Sequence, residues 1–119
     1  MKVAVSSQGN TLESEVEPRF GRAPYFLVID TDTMDFKVID NDSNRNAFKG
    51  AGIQAATAVG EAGAEVVLTG FCGPNAFKVL STAGIKVVND VAGSVRDAVR
   101  NFMNHKYSYA TAANVEGNG

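Results

Sequence analysis

Apolar and polar positions along the chain alternate in blocks that predict the elements directly. Lys2-Val3-Ala4-Val5-Ser6 is an apolar run with no helical spacing, the pattern of a strand covered on both faces. Residues 7–23 are polar and carry Gly9, Pro18 and Gly21, so they read as a loop. A loop that long is unusual in a compact domain and marks a functional candidate. Tyr25-Phe26-Leu27-Val28-Ile29-Asp30 is strongly β-forming, and so is Phe36-Lys37-Val38-Ile39-Asp40. The turn-like Thr31-Asp32-Thr33-Met34-Asp35 between them predicts an antiparallel hairpin. Asn41 to Lys49 is polar again and reads as a loop.

From Gly50 the period changes to that of helices separated by short strands. Ile53, Ala56, Gly60 and Gly63 lie at helical spacing, with Gly63 as the stop. Glu65-Val66-Val67-Leu68-Thr69 is a strand and Gly70 to Pro74 a tight turn. Ala76, Val79, Leu80 and Ala83 share a helix face, ended by Gly84, and Ile85-Lys86-Val87-Val88 is a further strand. Ser94 with Asp97 three residues on resembles a capping box, ahead of the stripe Val95, Ala98, Val99, Phe102 and Met103. Asn104 to Gly119 has no period and is expected to be a flexible tail, leaving residues 1–103 as a single domain.

The order β-β-β-α-β-α-β-α fixes most of the topology. The last two βα units need right-handed crossovers and parallel pairing, and the hairpin must attach beside the first strand. The expected architecture is an α/β, ribonuclease-H-like, five-stranded mixed sheet in order 3-2-1-4-5 with strand two antiparallel, flanked by three main helices. Strands one and four then diverge, and open sheets bind ligands at such a switch point, outside the strands' carboxyl ends.

Composition narrows the class. The chain has 119 residues, 45% hydrophobic and 20% charged, enough for one domain burying about two-thirds of its unfolded surface. With 11 Lys plus Arg against 13 Asp plus Glu the net charge is −2, which argues against nucleic-acid or membrane-surface binding. The single cysteine, Cys72, makes no internal disulfide and cannot alone make a four-thiolate zinc site. With no signal-peptide layout and no long apolar run, a cytoplasmic location is expected.

Three segments should converge at the switch point: Ser6-Ser7-Gln8-Gly9; Thr69 to Asn75, which includes Gly70, Cys72 and Gly73; and Lys49-Gly50-Ala51-Gly52. Glycines allow close backbone approach, and helix starts present free N–H groups with partial positive charge, which suits an anion. Glycines at βα turns also serve purely geometric needs. Arg19 and Arg22, around Phe20 and Gly21, add guanidinium groups fit for bidentate anion contacts, or they merely solvate the loop. Cys72, just ahead of a helix start, is expected to have a favoured thiolate able to ligate a soft metal; most lone cysteines are instead buried hydrophobes. Cys72 and Arg22 both fall outside the predicted apolar stripes. His105, the only histidine, sits in the tail with no orienting partner, so a Cys-His nucleophile is disfavoured. The chain lacks phosphate-loop and dinucleotide motifs, and its first strand offers Ser6 where metal-dependent nucleases need carboxylates.

With these residues in view, the chain resembles the dinitrogenase iron–molybdenum cofactor biosynthesis family, that of NifX, NafY and the C-terminal domain of NifB. The resemblance is carried by Arg19-Phe20-Gly21-Arg22-Ala23-Pro24-Tyr25-Phe26, Lys49-Gly50-Ala51-Gly52-Ile53-Gln54-Ala55-Ala56, Thr69-Gly70-Phe71-Cys72-Gly73-Pro74-Asn75-Ala76-Phe77 and Ala83-Gly84-Ile85-Lys86-Val87. It implies a non-catalytic protein that binds, carries or chaperones an iron–sulfur or iron–molybdenum–sulfur cluster, or a precursor. Its partners would be metallocofactor assembly or acceptor proteins. The implied cofactor-binding set is Ser6, Ser7, Arg19, Phe20, Gly21, Arg22, Lys49, Gly50, Gly52, Gly70, Cys72, Gly73 and Asn75, with Cys72 as the one candidate metal ligand. Two family histidines are absent: Arg19 stands where many relatives have one before Phe-Gly-Arg, and the chain ends Gly117-Asn118-Gly119 where some carry Gly-His-Gly. The alternative is a regulatory or interaction module that binds a small anion or a partner without metal.

Overall fold

The computed structural model describes residues 1–46 and 50–114. Its strands are β1 (Lys2–Ser7), β2 (Tyr25–Asp30), β3 (Phe36–Asp40), β4 (Val66–Leu68) and β5 (Lys86–Val88), in one sheet ordered β3-β2-β1-β4-β5. β2 is antiparallel to both β1 and β3, and β4 is parallel to β1 and β5, as the connectivity requires. The helices are α1 (Asp42–Arg45), α2 (Ala51–Glu61), α3 (Pro74–Thr82) and α4 (Val95–Met103), with a 3₁₀ turn at Phe20–Arg22.

Strand alternation sorts the core into two layers. Ala4, Phe26, Val28, Val67 and Val87 face the α2/α3 side, where Ala55, Val59, Ala76 and Leu80 cover them. Val3, Val5, Leu27, Ile29, Leu68 and Val88 face Val95, Ala98 and Val99 of α4, joined by Leu12 and Val16 from the long loop. Because β1 is central, Val3 to Ser7 are all buried, which is why its sequence shows no alternation.

The helix ends follow local chemistry. Pro74 opens α3, where its missing N–H is no loss. Ser94 Oγ accepts from Asp97 N–H at 3.1 Å and caps α4. α2 and α3 both end in Schellman turns, with Ala64 N–H donating to Val59 O (3.1 Å) and Ile85 N–H to Leu80 O (2.9 Å).

Three predicted details differ. Ile53 is 41% exposed; α2 buries Ala51, Gly52, Ala55, Ala56 and Val59 instead. A helix of mostly small residues offers several possible faces, and the close approach of the 3₁₀ turn selects the smallest. Met103 is likewise exposed, and α4 buries only Val95, Ala98 and Val99. The segment after β3 forms a one-turn helix, anchored by the fully buried Asn41, whose Nδ2 donates to Ala23 O at 2.9 Å.

The segment after α4 is bonded to the domain as far as residue 114, although it lacks a period. Tyr107 packs on the α4-side layer and Ala110 on the other, so the chain passes around the outer edge of β5. There Ala110 N–H donates to Val87 O at 2.7 Å. Hydrogen bonds to main-chain groups need no apolar spacing, so this docking left no trace in the hydropathy pattern. Gly117-Asn118-Gly119 lies outside the described residues.

Candidate functional site

β1 and β4 deliver Ser6, Ser7 and Thr69 to one rim of the sheet, all fully buried. Ser6 Oγ donates to Glu17 O (2.7 Å) and lies 2.8 Å from Thr69 Oγ1, while Ser7 Oγ donates to Gly9 O (2.7 Å). These hydroxyls hold the long loop across the switch point and are engaged in doing so.

The loop then runs over the rim beside the β4–α3 turn. Phe71 N–H donates to Pro18 O (2.7 Å) and Phe20 N–H to Phe71 O (3.2 Å), a short parallel bridge. This approach requires glycine at position 70, because a Cβ there would stand 2.7 Å from Pro18 Cα and O. Phe20 inserts into the core, its ring centroid 5.0 Å from that of Phe26. That insertion seats Gly21 on the start of α2, where a Cβ would meet Gly52 N at 2.9 Å and Gly52 Cα at 3.0 Å. The structure thus seats the 19–22 turn on residues 50–52 and beside Phe71, and joins Ser6 to Thr69, while Gln8 and Gly9 pack against Glu15 and Ser14 instead. Lys49 lies outside the described residues.

Charge and donors gather around this junction. Arg19 is exposed; its N–H donates to Glu17 Oε2 at 3.0 Å. Arg22 is half-buried, and its Nη1 donates to Arg45 O at 2.7 Å. Gly50, with φ +79°, is the N-cap of α2 and Gly73 that of α3, so two first turns of unpaired N–H groups open near the arginines. Asn75 is exposed on the first turn of α3.

Cys72 corrects the expectation of a favoured thiolate. It is fully buried within the α2/α3-side layer, and burial pushes its thiol up to about 12. Desolvation disfavours the charged form more than the adjacent helix start favours it. Its Sγ donates weakly to Gly73 O (3.7 Å), and its N–H donates to Asn114 Oδ1 at 2.8 Å. Cys72 is therefore a core residue, not one outside the apolar stripes.

Sequence reasoning missed Glu17, Arg45 and Asn114 at this rim, and took Thr69 only as part of its segment. Thr69 and Glu17 lie beside residues already singled out, so only the tertiary bonds distinguish them. Arg45 and Asn114 carry no local signal at all. Among the described residues, no group of three or more His, Cys, Asp and Glu side chains could hold a metal ion. His105 lines a cavity of about 390 Å³ with Met1, Thr31 and Tyr107, at the opposite end of the sheet. A larger cavity of about 570 Å³, between β3 and the end of α2, also lies at that far end.

Fold and site together define a small α/β domain whose switch point is crossed by an arginine-bearing loop. The chain belongs to the dinitrogenase iron-molybdenum cofactor family, whose model matches residues 1–105. The apo form of the orange protein from Desulfovibrio gigas is 42% identical, with 96% of each chain covered and a TM-score of 0.94. A NifB-like protein from Thermotoga is 31% identical, with 98% of each chain covered and a TM-score of 0.81. An uncharacterized protein of Methanocaldococcus jannaschii is 27% identical over 109 residues, 89% of this chain and 88% of its own. Membership links the chain to processes involving the iron–molybdenum cofactor or related clusters, in a family of accessory type not known for catalysis. No helix among the described residues is long and apolar enough to cross a membrane.

Proposed function

We propose that this protein is a non-catalytic carrier or chaperone of an anionic iron–sulfur or iron–molybdenum–sulfur cluster, or its precursor. It exchanges that cargo with cytoplasmic assembly and acceptor proteins. The observation that carries the reading is the seating of the Arg19–Arg22 turn on the start of α2 and against the β4–α3 turn. Guanidinium groups and free N–H groups at helix starts are suited to a soft, multiply charged anion.

The donor set favours an electrostatic cradle over direct ligation. The one thiol is buried and protonated, and the described residues supply no ligand cluster. Arg19, Arg22, Gly50, Gly73 and Asn75 are the residues assigned to the cradle. Gly21, Gly52, Phe20, Ser6, Ser7 and Gly70 set its shape.

Iron, molybdenum and sulfide analysis after anaerobic purification is the direct test, followed by reconstitution of the stripped protein. Bound metal with stoichiometric sulfide supports the reading. Arg22→Ala should weaken loading by ~1–3 kcal/mol, in a salt-sensitive way, through loss of a charged hydrogen bond. Absence of metal and sulfide from wild type, before and after reconstitution, would overturn the reading in favour of a metal-free interaction module.

A further inference from the structure

We propose that residues 104–114 form a releasable strap that closes the β4–α3 turn, with Asn114 as its latch. This inference rests on the placement of the cradle above, but its test does not require any cargo to bind.

The strap has a defined path. It leaves α4, rounds the edge of β5 with Tyr107 on one layer and Ala110 on the other, and is pinned midway by Ala110 N–H to Val87 O at 2.7 Å. It ends at the β4–α3 turn in three bonds from one residue. Asn114 Oδ1 accepts from Cys72 N–H (2.8 Å), Asn114 Nδ2 donates to Gly70 O (3.2 Å), and Asn114 N–H donates to Cys72 O (3.3 Å).

Two features make the strap a latch as well as a brace. First, its hold is polar and localised: Ser108, Tyr109, Thr111 and Ala112 are exposed, so little apolar area resists lifting. Second, Asn114 Oδ1 takes a backbone N–H at the turn leading into α3, a donor an anionic cargo would otherwise use. Lifting the strap frees the Cys72 N–H, leaves the Gly70 carbonyl to its 2.7 Å bond from Asp90 N–H, and takes Ala110 off the layer in which Cys72 lies. Closed, the strap substitutes a neutral amide oxygen for the cargo; open, it admits the cargo to the turn.

Cys72, the only thiol in the chain, reports the opening. Its labelling by an aromatic disulfide reagent should be slow in the full-length wild type. In Asn114→Ala, which deletes both side-chain bonds, the rate should rise about tenfold. Ala110→Pro removes the midway N–H and should also accelerate labelling. In all three proteins the rate at low denaturant should vary little with urea, because strap release exposes little surface. A core variant on β2, separated from β5 by two strands, Val28→Ala, separates latch loss from general loosening, and should label at the wild-type rate at low denaturant. Labelling of Asn114→Ala at the wild-type rate would overturn the proposal. So would acceleration that tracks the urea midpoint equally in Val28→Ala, since opening would then be global.

Discussion

Gly21→Ala tests the junction on which the site depends, because two opposed effects can be weighed against each other. The new Cβ would stand 2.9 Å from Gly52 N and 3.0 Å from Gly52 Cα, both backbone atoms at the start of a packed helix. Neither can swing aside as a side-chain tip would, so the 3₁₀ turn must move and drag the buried Phe20 with it. Overpacking of this kind costs ~1–3 kcal/mol. Against it stands a gain of ~0.4–1 kcal/mol from the lower entropy of the unfolded alanine chain. The clash should win by ~1–2 kcal/mol, lowering the urea midpoint by roughly 1 M at an m-value of about 1–3 kcal/mol/M. Gly60→Ala supplies the comparison, since its Cβ would meet only Ile85 Cδ1, at 3.6 Å, an ordinary contact inside α2. That variant should be more stable than wild type by ~0.5–1 kcal/mol. Urea unfolding followed by far-ultraviolet circular dichroism reads both. A Gly21→Ala protein as stable as wild type would refute the close seating of the loop on α2.

Phe20→Ala should cost ~3–5 kcal/mol by calorimetry or urea unfolding, because a fully buried ring leaves a cavity beside Phe26. Ser94→Ala should cost ~1 kcal/mol through loss of the α4 cap, with an unchanged m-value. Alkaline stability should carry the signature of the buried thiol. Below its ordinary value of 9.0 it is protonated folded and unfolded; above that the unfolded chain releases the proton first, while the folded protein keeps it to about 12. Stability should therefore fall with rising pH by up to ~1.4 kcal/mol per unit across that window, and Cys72→Ala should remove that component of the slope.

Strand positions were legible because burial imposes a period on the sequence and connectivity restricts pairing. Val3-Ala4-Val5, the Tyr25–Asp40 hairpin and the two βα units leave few arrangements beyond the observed order. The Ser94 cap and the stops at Gly63 and Gly84 were legible because they are local. What failed was non-local. Ile53 suggested the wrong face of α2, since Ala51, Gly52, Ala55 and Ala56 give no reason to choose until Gly21 packs there. Cys72 beside a helix start suggested a thiolate, but its ionisation is governed by neighbours distant in sequence. Asn114 docks through amide and main-chain groups, which have no hydropathy, so the path of residues 104–114 leaves no period in the sequence. That β1 and β4 bring Ser6 and Thr69 to one rim followed from topology alone; the roles of the residues there rest on the arrangement of charge and donors.

The central claim is that cargo is held by charge and backbone donors without a bond to sulfur. Its most direct measurement is anaerobic cluster loading of wild type and Cys72→Ser, by bound metal and visible absorbance, at low and high salt. The two proteins should load equally, and loading of both should fall as salt rises. Loss of loading in Cys72→Ser, with wild-type loading indifferent to salt, would contradict it and make the thiolate a ligand.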